Sequence, residues 1–183
     1  MCRRSLAVYD KDRGVYSVIA LGAEYLVDPA AHDIRPVSLT AGDVSVDLGL
    51  LILFYLLEAK DVPLSGRWVS EFDLKGGSMF FRGPHAFPVH EIASRFGHDL
   101  EGFKKTCVSL CGEPLKLGDA AFKIQVLPRI PAAAVLWYAD EEFEASAKLL
   151  MDATIEQHLP LDVIFGMSLE VIGRIVEKKL WGQ

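Results

Sequence analysis

The fold is decided by Asp119-Ala-Ala-Phe-Lys-Ile-Gln-Val-Leu-Pro-Arg-Ile-Pro-Ala-Ala-Ala-Val-Leu-Trp-Tyr-Ala-Asp140 and its continuation Glu141-Glu-Phe-Glu-Ala-Ser-Ala-Lys-Leu-Leu-Met-Asp152. Phe122, Ile124 and Val126 alternate with Lys123, Gln125 and Leu127, the period of a strand with one buried face. Pro128 and Pro131 bracket Arg129 and interrupt any helix, which predicts a turn or a kinked edge. Ala132 to Tyr138 is a continuous apolar run of strand length, expected to be more deeply buried. Three carboxylates, Asp140, Glu141 and Glu142, close it, and Ser146 to Met151 reads as a third extended segment. The outcome is a sheet with one charged corner, on which the rest of the chain is expected to pack.

The composition sets the limits. A chain of 183 residues with 51% apolar content can fill one core and is short for two. Its 24% charged content is that of a soluble globular domain, and a net charge of −6 argues against a general nucleic-acid binder. Met1 to Asp10 contains no apolar run of signal-peptide length. The longest apolar run, Leu48 to Leu57, is about half of the ~20 residues a membrane helix needs, so no membrane span is expected. Three cysteines fit free thiols in a reducing compartment better than a disulfide framework, which makes the expected location cytoplasmic.

Outward from the sheet segment, Tyr9 to Val27 reads as a hairpin with its turn at Gly22-Ala23, followed by a polar connection containing His32 and Pro36. Thr40 to Asp43 has capping-box spacing and opens a helix over Val44 to Lys60. That helix is apolar almost all round, which predicts the central core helix, buried on most sides. Arg67 to Phe72 alternates as a short strand. A helix is expected from about Pro88 to Phe96 with Gly97 as its cap, and another from about Asp99, stopped by Gly112 and Pro114. Thr154 to Gln157 again has capping-box spacing and starts a short turn reaching His158. The last helix, about Leu161 to Leu180, carries Ile164, Met167, Val171 and Ile175 on one stripe, with Lys178 and Lys179 near its end. The pattern predicts a single compact α+β domain, a mostly antiparallel sheet packed with about four to five helices.

Few residues carry recognisable chemistry. Cys107 and Cys111 have the spacing of one helix face, yet with Cys2 they fall short of the four ligands of a closed zinc or iron-sulfur site, and core packing is the plainer reading. His85 follows Gly83-Pro84 and precedes a helix, where an imidazole can face a cleft and ligate haem iron, a corrin cobalt or a divalent metal. The alternative is a loop histidine bonded to backbone. Arg82 and Arg129 offer planar forks for an anionic ligand, and aromatic residues, Trp137 among them, offer apolar walls. Asp140, Glu141 and Glu142 can bind a hard cation or act as bases; a capping and ion-pairing role is the alternative. No phosphate-binding glycine loop and no Gly-x-Ser-x-Gly nucleophile elbow is present, and no residue is identified as catalytic.

Several stretches also carry a likeness: Gly66-Arg-Trp68 with Gly76-Gly77, then Phe81-Arg-Gly-Pro-His85. The longest runs from Gly118-Asp119 through Leu127-Pro-Arg-Ile-Pro131, Leu136-Trp137 and Asp140-Glu-Glu-Phe143 to Leu150-x-Asp152. On these residues the chain resembles domain of unknown function 3786, an uncharacterised bacterial and archaeal family found mainly in anaerobes. Some relatives add a four-cysteine iron-sulfur domain that this chain does not contain. The resemblance implies a compact α+β domain in an anaerobic redox or corrinoid-linked context, with an iron-sulfur or corrinoid-linked redox protein as partner. Three functions stand as expectations. The first is an accessory domain binding a tetrapyrrole (haem or corrinoid) near His85, Arg82, Arg129 and Trp137. The second is a metal-dependent enzyme using Asp140, Glu141 and Glu142. The third is a protein–protein adaptor with no small-molecule site.

Overall fold

A computed structural model describes residues 1–38, 43–178 and 180 of the chain. After a single helical turn, α1 (Cys2–Ser5), the chain forms a four-stranded antiparallel meander: β1 (Val8–Asp10), β2 (Val15–Ala20), β3 (Ala23–Asp28) and β4 (Asp33–Pro36), in that spatial order. The expected hairpin is its centre. Its turn is Leu21-Gly22 rather than Gly22-Ala23, because Ala20 pairs with Ala23 and the two residues between them both have positive φ, 49° and 79°. Two left-handed residues give the turn whose twist matches the flanking strands, and glycine takes the second place without steric cost. The polar connection is in part β4: Asp28 accepts from the N–H groups of Ala30 and Ala31, and this turn brings Asp33–Pro36 back alongside β3.

The decisive stretch forms the middle of a second antiparallel sheet. It contains β5 (Trp68–Val69), β6 (Glu113–Leu115), β7 (Ala120–Leu127), β8 (Ile130–Trp137) and β9 (Ser146–Asp152), ordered β5-β9-β8-β7-β6. The apolar run is the central strand, and Ile130 to Leu136 are all buried. It begins earlier than expected, since the turn is Pro128-Arg129 alone and Pro131 pairs with Gln125. A register shift between Gln125 and Leu127 lets a residue without an N–H sit in an interior strand. The strand expected at Arg67 to Phe72 shortens to β5, because Ser70 and Asp73 cap each other and turn the chain into one 3₁₀ turn.

Helices α2 (Val46–Glu58), α3 (Gly77–Phe80), α4 (His90–Phe96), α5 (Leu100–Ser109) and α6 (Leu161–Val176) join both sheets around one core. The ranking of α2 and α6 reverses the expectation. Ten of the sixteen residues of α6 are buried, including Ile164, Met167, Val171 and Ile175, so α6 is the central helix. Its polar residues are accommodated: Ser168 donates to the Phe165 carbonyl and Arg174 donates to the Tyr25 hydroxyl of β3. Helix α2 buries Leu48, Leu51, Ile52, Tyr55 and Leu56 and leaves its other face open. It starts at Ser45, whose hydroxyl accepts from the Leu48 N–H; the Thr40 of the expected capping box lies outside the described residues, as does Lys179 beyond α6.

Gly97 caps α4 as expected, its N–H donating to the Ala93 carbonyl. Gly97 has an ordinary helical φ, and glycine is required by contact: a Cβ there would sit 2.4 Å from the Ala145 Cβ and 2.5 Å from the Ala93 oxygen. Asp99 caps α5 as its sequence suggests, accepting from Gly102. The helix ends before Cys111, which takes φ 57° in a two-bond C-terminal cap, Cys111 N–H to Val108 and Gly112 N–H to Cys107. Cys107 is therefore buried and Cys111 exposed, and the two do not share a face. Thr154 does not cap the turn at 155–157; its hydroxyl donates to Asp152.

Candidate functional site

The densest polar construction is a node beneath the strand-free segment that links α2 to β5. Beyond the buried Ala59, which caps α2, residues 60–66 run over the surface as a strap held at several points. The Lys60 N–H donates to His158 Nδ1 at 3.2 Å. The Arg129 guanidinium donates to the Asp61 carboxylate at 2.6 Å and to the Val62 carbonyl at 3.2 Å. Asp152 accepts from the Ser65 N–H and hydroxyl, the Gly66 N–H, and the N–H and hydroxyl of Thr154. Arg129 also donates from Nε to the Arg4 carbonyl at 2.6 Å, which ties in α1, and its backbone N–H donates to the Tyr55 hydroxyl. Arg129 sits in the β7–β8 turn and Asp152 at the end of β9, while Tyr55 comes from α2 and His158 follows the turn at 155–157.

Burial sets the electrostatics of this node. Tyr55 is fully buried, which pushes its phenol up to about 12 against the opposing pull of Arg129. Burial also acts upward on the Asp152 carboxyl, but the hydrogen bonds from Thr154 and Ser65 hold it below the ordinary carboxylate value. His158 is 1% exposed, and burial, reinforced by Arg129, lowers its pKa so that the ring is neutral. With Nδ1 accepting, the proton resides on Nε2, and that buried atom has no hydrogen-bond partner among the described residues.

The expected ligand residues do not assemble as one cleft. His85 ends a short 3₁₀ turn, exposed, with its ring stacked on Phe80 at 4.7 Å and meeting Phe165 edge-on at 5.4 Å. Arg82, just before it, is exposed and makes no hydrogen bond or ion pair among the described residues. Arg129 belongs to the strap node, where its fork is already engaged with backbone and Asp61. Trp137 lies at the end of β8 with the Lys148 ammonium 5.9 Å from its ring. The histidine and Arg82 remain neighbours; Arg129 and Trp137 have other company.

Asp140, Glu141 and Glu142 occupy an exposed loop between β8 and β9. One oxygen of Asp140 accepts from the N–H groups of Glu142 and Phe143, so the cluster folds on itself. Among the described residues no three His, Cys, Asp or Glu side chains converge as a metal-ligand set. Asp140 also borders an open cleft of about 750 Å³, with His98, Asp99, Glu101, Asp119 and Tyr138. Three of its carboxylates are committed to backbone, Asp99 to Gly102, Asp119 to the Tyr138 N–H and Asp140 to Glu142 and Phe143.

The surface that sequence reading missed is the outer side of α2. Val46 is 78% exposed, Leu50 46%, Leu53 39% and Leu57 56%. Their spacing of four, three and four aligns them on one stripe of a helix about 20 Å long. No charged residue interrupts the helix between Asp47 and Glu58. The signal is present in the sequence as an all-round apolar helix, which predicts burial on most sides.

Fold and surfaces together define a two-sheet α+β domain with a polar node under the 60–66 strap and an aligned exposed apolar stripe on α2. The family model described as Domain of unknown function (DUF3786) matches residues 1–174, and the chain belongs to that family. No curated protein and no solved structure matches it. Among the described residues, no helix is long and apolar enough to cross a membrane.

Proposed function

We propose that the protein is a protein–protein association module that works through the outer face of α2, and that the occupant of this face is a second copy of the chain. The exposed Val46-Leu50-Leu53-Leu57 stripe carries the reading. An apolar stripe at this spacing is the seam of helix–helix packing, and leaving it in water forgoes roughly 25 cal/mol per Å² of apolar area. Charge favours antiparallel self-pairing. Asp43, Asp47 and Glu170, the last joined to the Ser45 hydroxyl, gather at the N-terminal end of α2. Arg3, Arg4 and Lys60 outnumber Glu58 and Asp61 at the other, where Arg4 donates to the Leu57 carbonyl. A two-fold axis across the helix sets each end against its opposite.

Light scattering on a sizing column tests the reading. At about 100 μM protein, where an interface of micromolar Kd is saturated, the wild type is expected to elute with the mass of a dimer. Leu53→Glu is expected to elute as a monomer with the circular dichroism spectrum of the wild type. A wild-type monomer under those conditions overturns the proposal. A cytoplasmic setting is supported by the three free thiols.

One observation favours a second reading, the tetrapyrrole site. The ring nitrogens of exposed His85 make no hydrogen bond among the described residues, and Phe80, Phe165 and the unpaired Arg82 stand beside it or next in sequence. A planar anionic macrocycle would meet an imidazole, an aromatic face and a guanidinium there, which fits an accessory role beside an iron-sulfur or corrinoid-linked redox protein. Titration with haem and with a corrinoid tests it. A spectral change abolished by His85→Ala is expected, and an unchanged spectrum excludes it.

A further inference from the structure

The strap contains a bond whose chemistry depends on one proton. His158 Nδ1 is the acceptor for the Lys60 N–H, and Nε2 is buried without a partner. We infer that His158 is a pH-operated latch: protonation of its buried ring releases the strap over residues 60–66 while the two sheets remain folded.

A neutral imidazole accepts one N–H and donates one; an imidazolium only donates. When a proton from solvent binds Nδ1, the new N–H faces the Lys60 N–H, and the single bond joining strap and ring cannot persist. The cation formed is also poorly placed. Arg129 approaches from the β7–β8 turn and Lys60 from the strap, both positive, while Asp152 from the end of β9 is the compensating charge. The Asp152 carboxylate is already engaged by Ser65, Gly66 and Thr154, and it makes no hydrogen bond with the ring among the described residues. Tyr55, from α2, stands 6.5 Å away with its hydroxyl donating to the Ser5 carbonyl, and it accepts from Arg129, so it offers the ring nothing. Opening the strap resolves the conflict by letting water reach both nitrogens.

The strap is suited to local opening. It has no ladder hydrogen bonds, Asp61 and residues 63–66 are exposed, and its attachments are side-chain bonds to His158, Arg129, Asp152 and Arg3. Burial lowers the affinity of His158 for its proton, so the closed strap is favoured above the ordinary histidine range and loses that advantage as pH falls through it.

Amide hydrogen exchange of the Lys60 N–H, corrected for intrinsic rate and read beside the imidazole signals of His158 by NMR between pH 8 and pH 5, tests the inference. The Lys60 opening constant is expected to rise by up to about tenfold per pH unit as pH falls below the unfolded histidine value, while amides of β7 and β8 keep their protection. His158→Gln, whose amide oxygen can accept the same N–H without titrating, is expected to remove the pH dependence. A Lys60 opening constant that stays flat from pH 8 to pH 5 overturns the latch, as does a pH slope that survives in His158→Gln. Should the variant not fold, the wild-type pair of readings decides the matter by itself.

Discussion

Asp152 and Asp140 make the same local gesture with opposite consequences. Each carboxylate accepts the backbone N–H two residues downstream, from Thr154 and from Glu142. Asp140 spends its remaining capacity on Phe143 in the same exposed loop. Asp152, 4% exposed, reaches Ser65 and Gly66, more than eighty residues away in sequence, and fixes the strap to the sheet. An acidic turn motif is thus either a self-contained loop or a long-range tie, and the difference is burial. The densest acidic run in the sequence is the one with the least structural consequence.

Substitution can break or sharpen that contrast. Asp152→Ala leaves the Ser65, Gly66 and Thr154 donors unsatisfied and is expected to cost about 3–5 kcal/mol in chemical denaturation. Its wild-type carboxyl is held below 3.8, so the contribution is present above that value and lost as pH falls through the folded pKa; the variant should lack this acid limb. Arg129→Ala, which frees two carbonyls and leaves Asp61 with Arg3 alone, should cost about 2–3 kcal/mol by the same assay. Gly97→Ala drives a methyl against Ala145 and the Ala93 carbonyl and should lose about 1–3 kcal/mol. Asp140→Ala should change stability by no more than about 0.5 kcal/mol, and a loss comparable to that of Asp152→Ala would erase the distinction.

What the sequence disclosed follows from periodicity. Strands β7, β8 and β9 were legible because Phe122-Ile124-Val126 alternates, Ala132 to Leu136 does not, and Pro128-Arg129 separates them. The stripe of α6 was legible for the same reason. Its rank as the central helix was not: Ser168 and Arg174 look like surface residues until the Phe165 carbonyl and the Tyr25 hydroxyl are seen to receive them. Helix α2 misled in the opposite direction, since hydropathy cannot distinguish a side chain covered by its own chain from one left open.

The strap node carries no periodic signal at all. Tyr55 from α2, Arg129 in the β7–β8 turn, Asp152 at the end of β9 and His158 after the turn at 155–157 meet there, and no spacing announces it. His158, which no motif singles out, is the buried histidine. Nothing in the sequence ties His85 to Arg129 beyond their Gly/Pro-rich settings, and Arg129 is committed to Arg4, Asp61 and Val62. The stretches around Gly66, Arg129 and Asp152 do meet, at the strap.

The central claim is that the working surface is α2 and not the polar loops. Methyl NMR over a dilution series addresses both regions in one experiment, because Val46, Leu50, Leu53 and Leu57 report on α2 and the 83%-exposed Met79 reports on the His85 loop. The account predicts that the four α2 residues shift together on concentration while the Met79 methyl stays still. Movement at Met79 with a silent α2, or no concentration dependence in either, would contradict it.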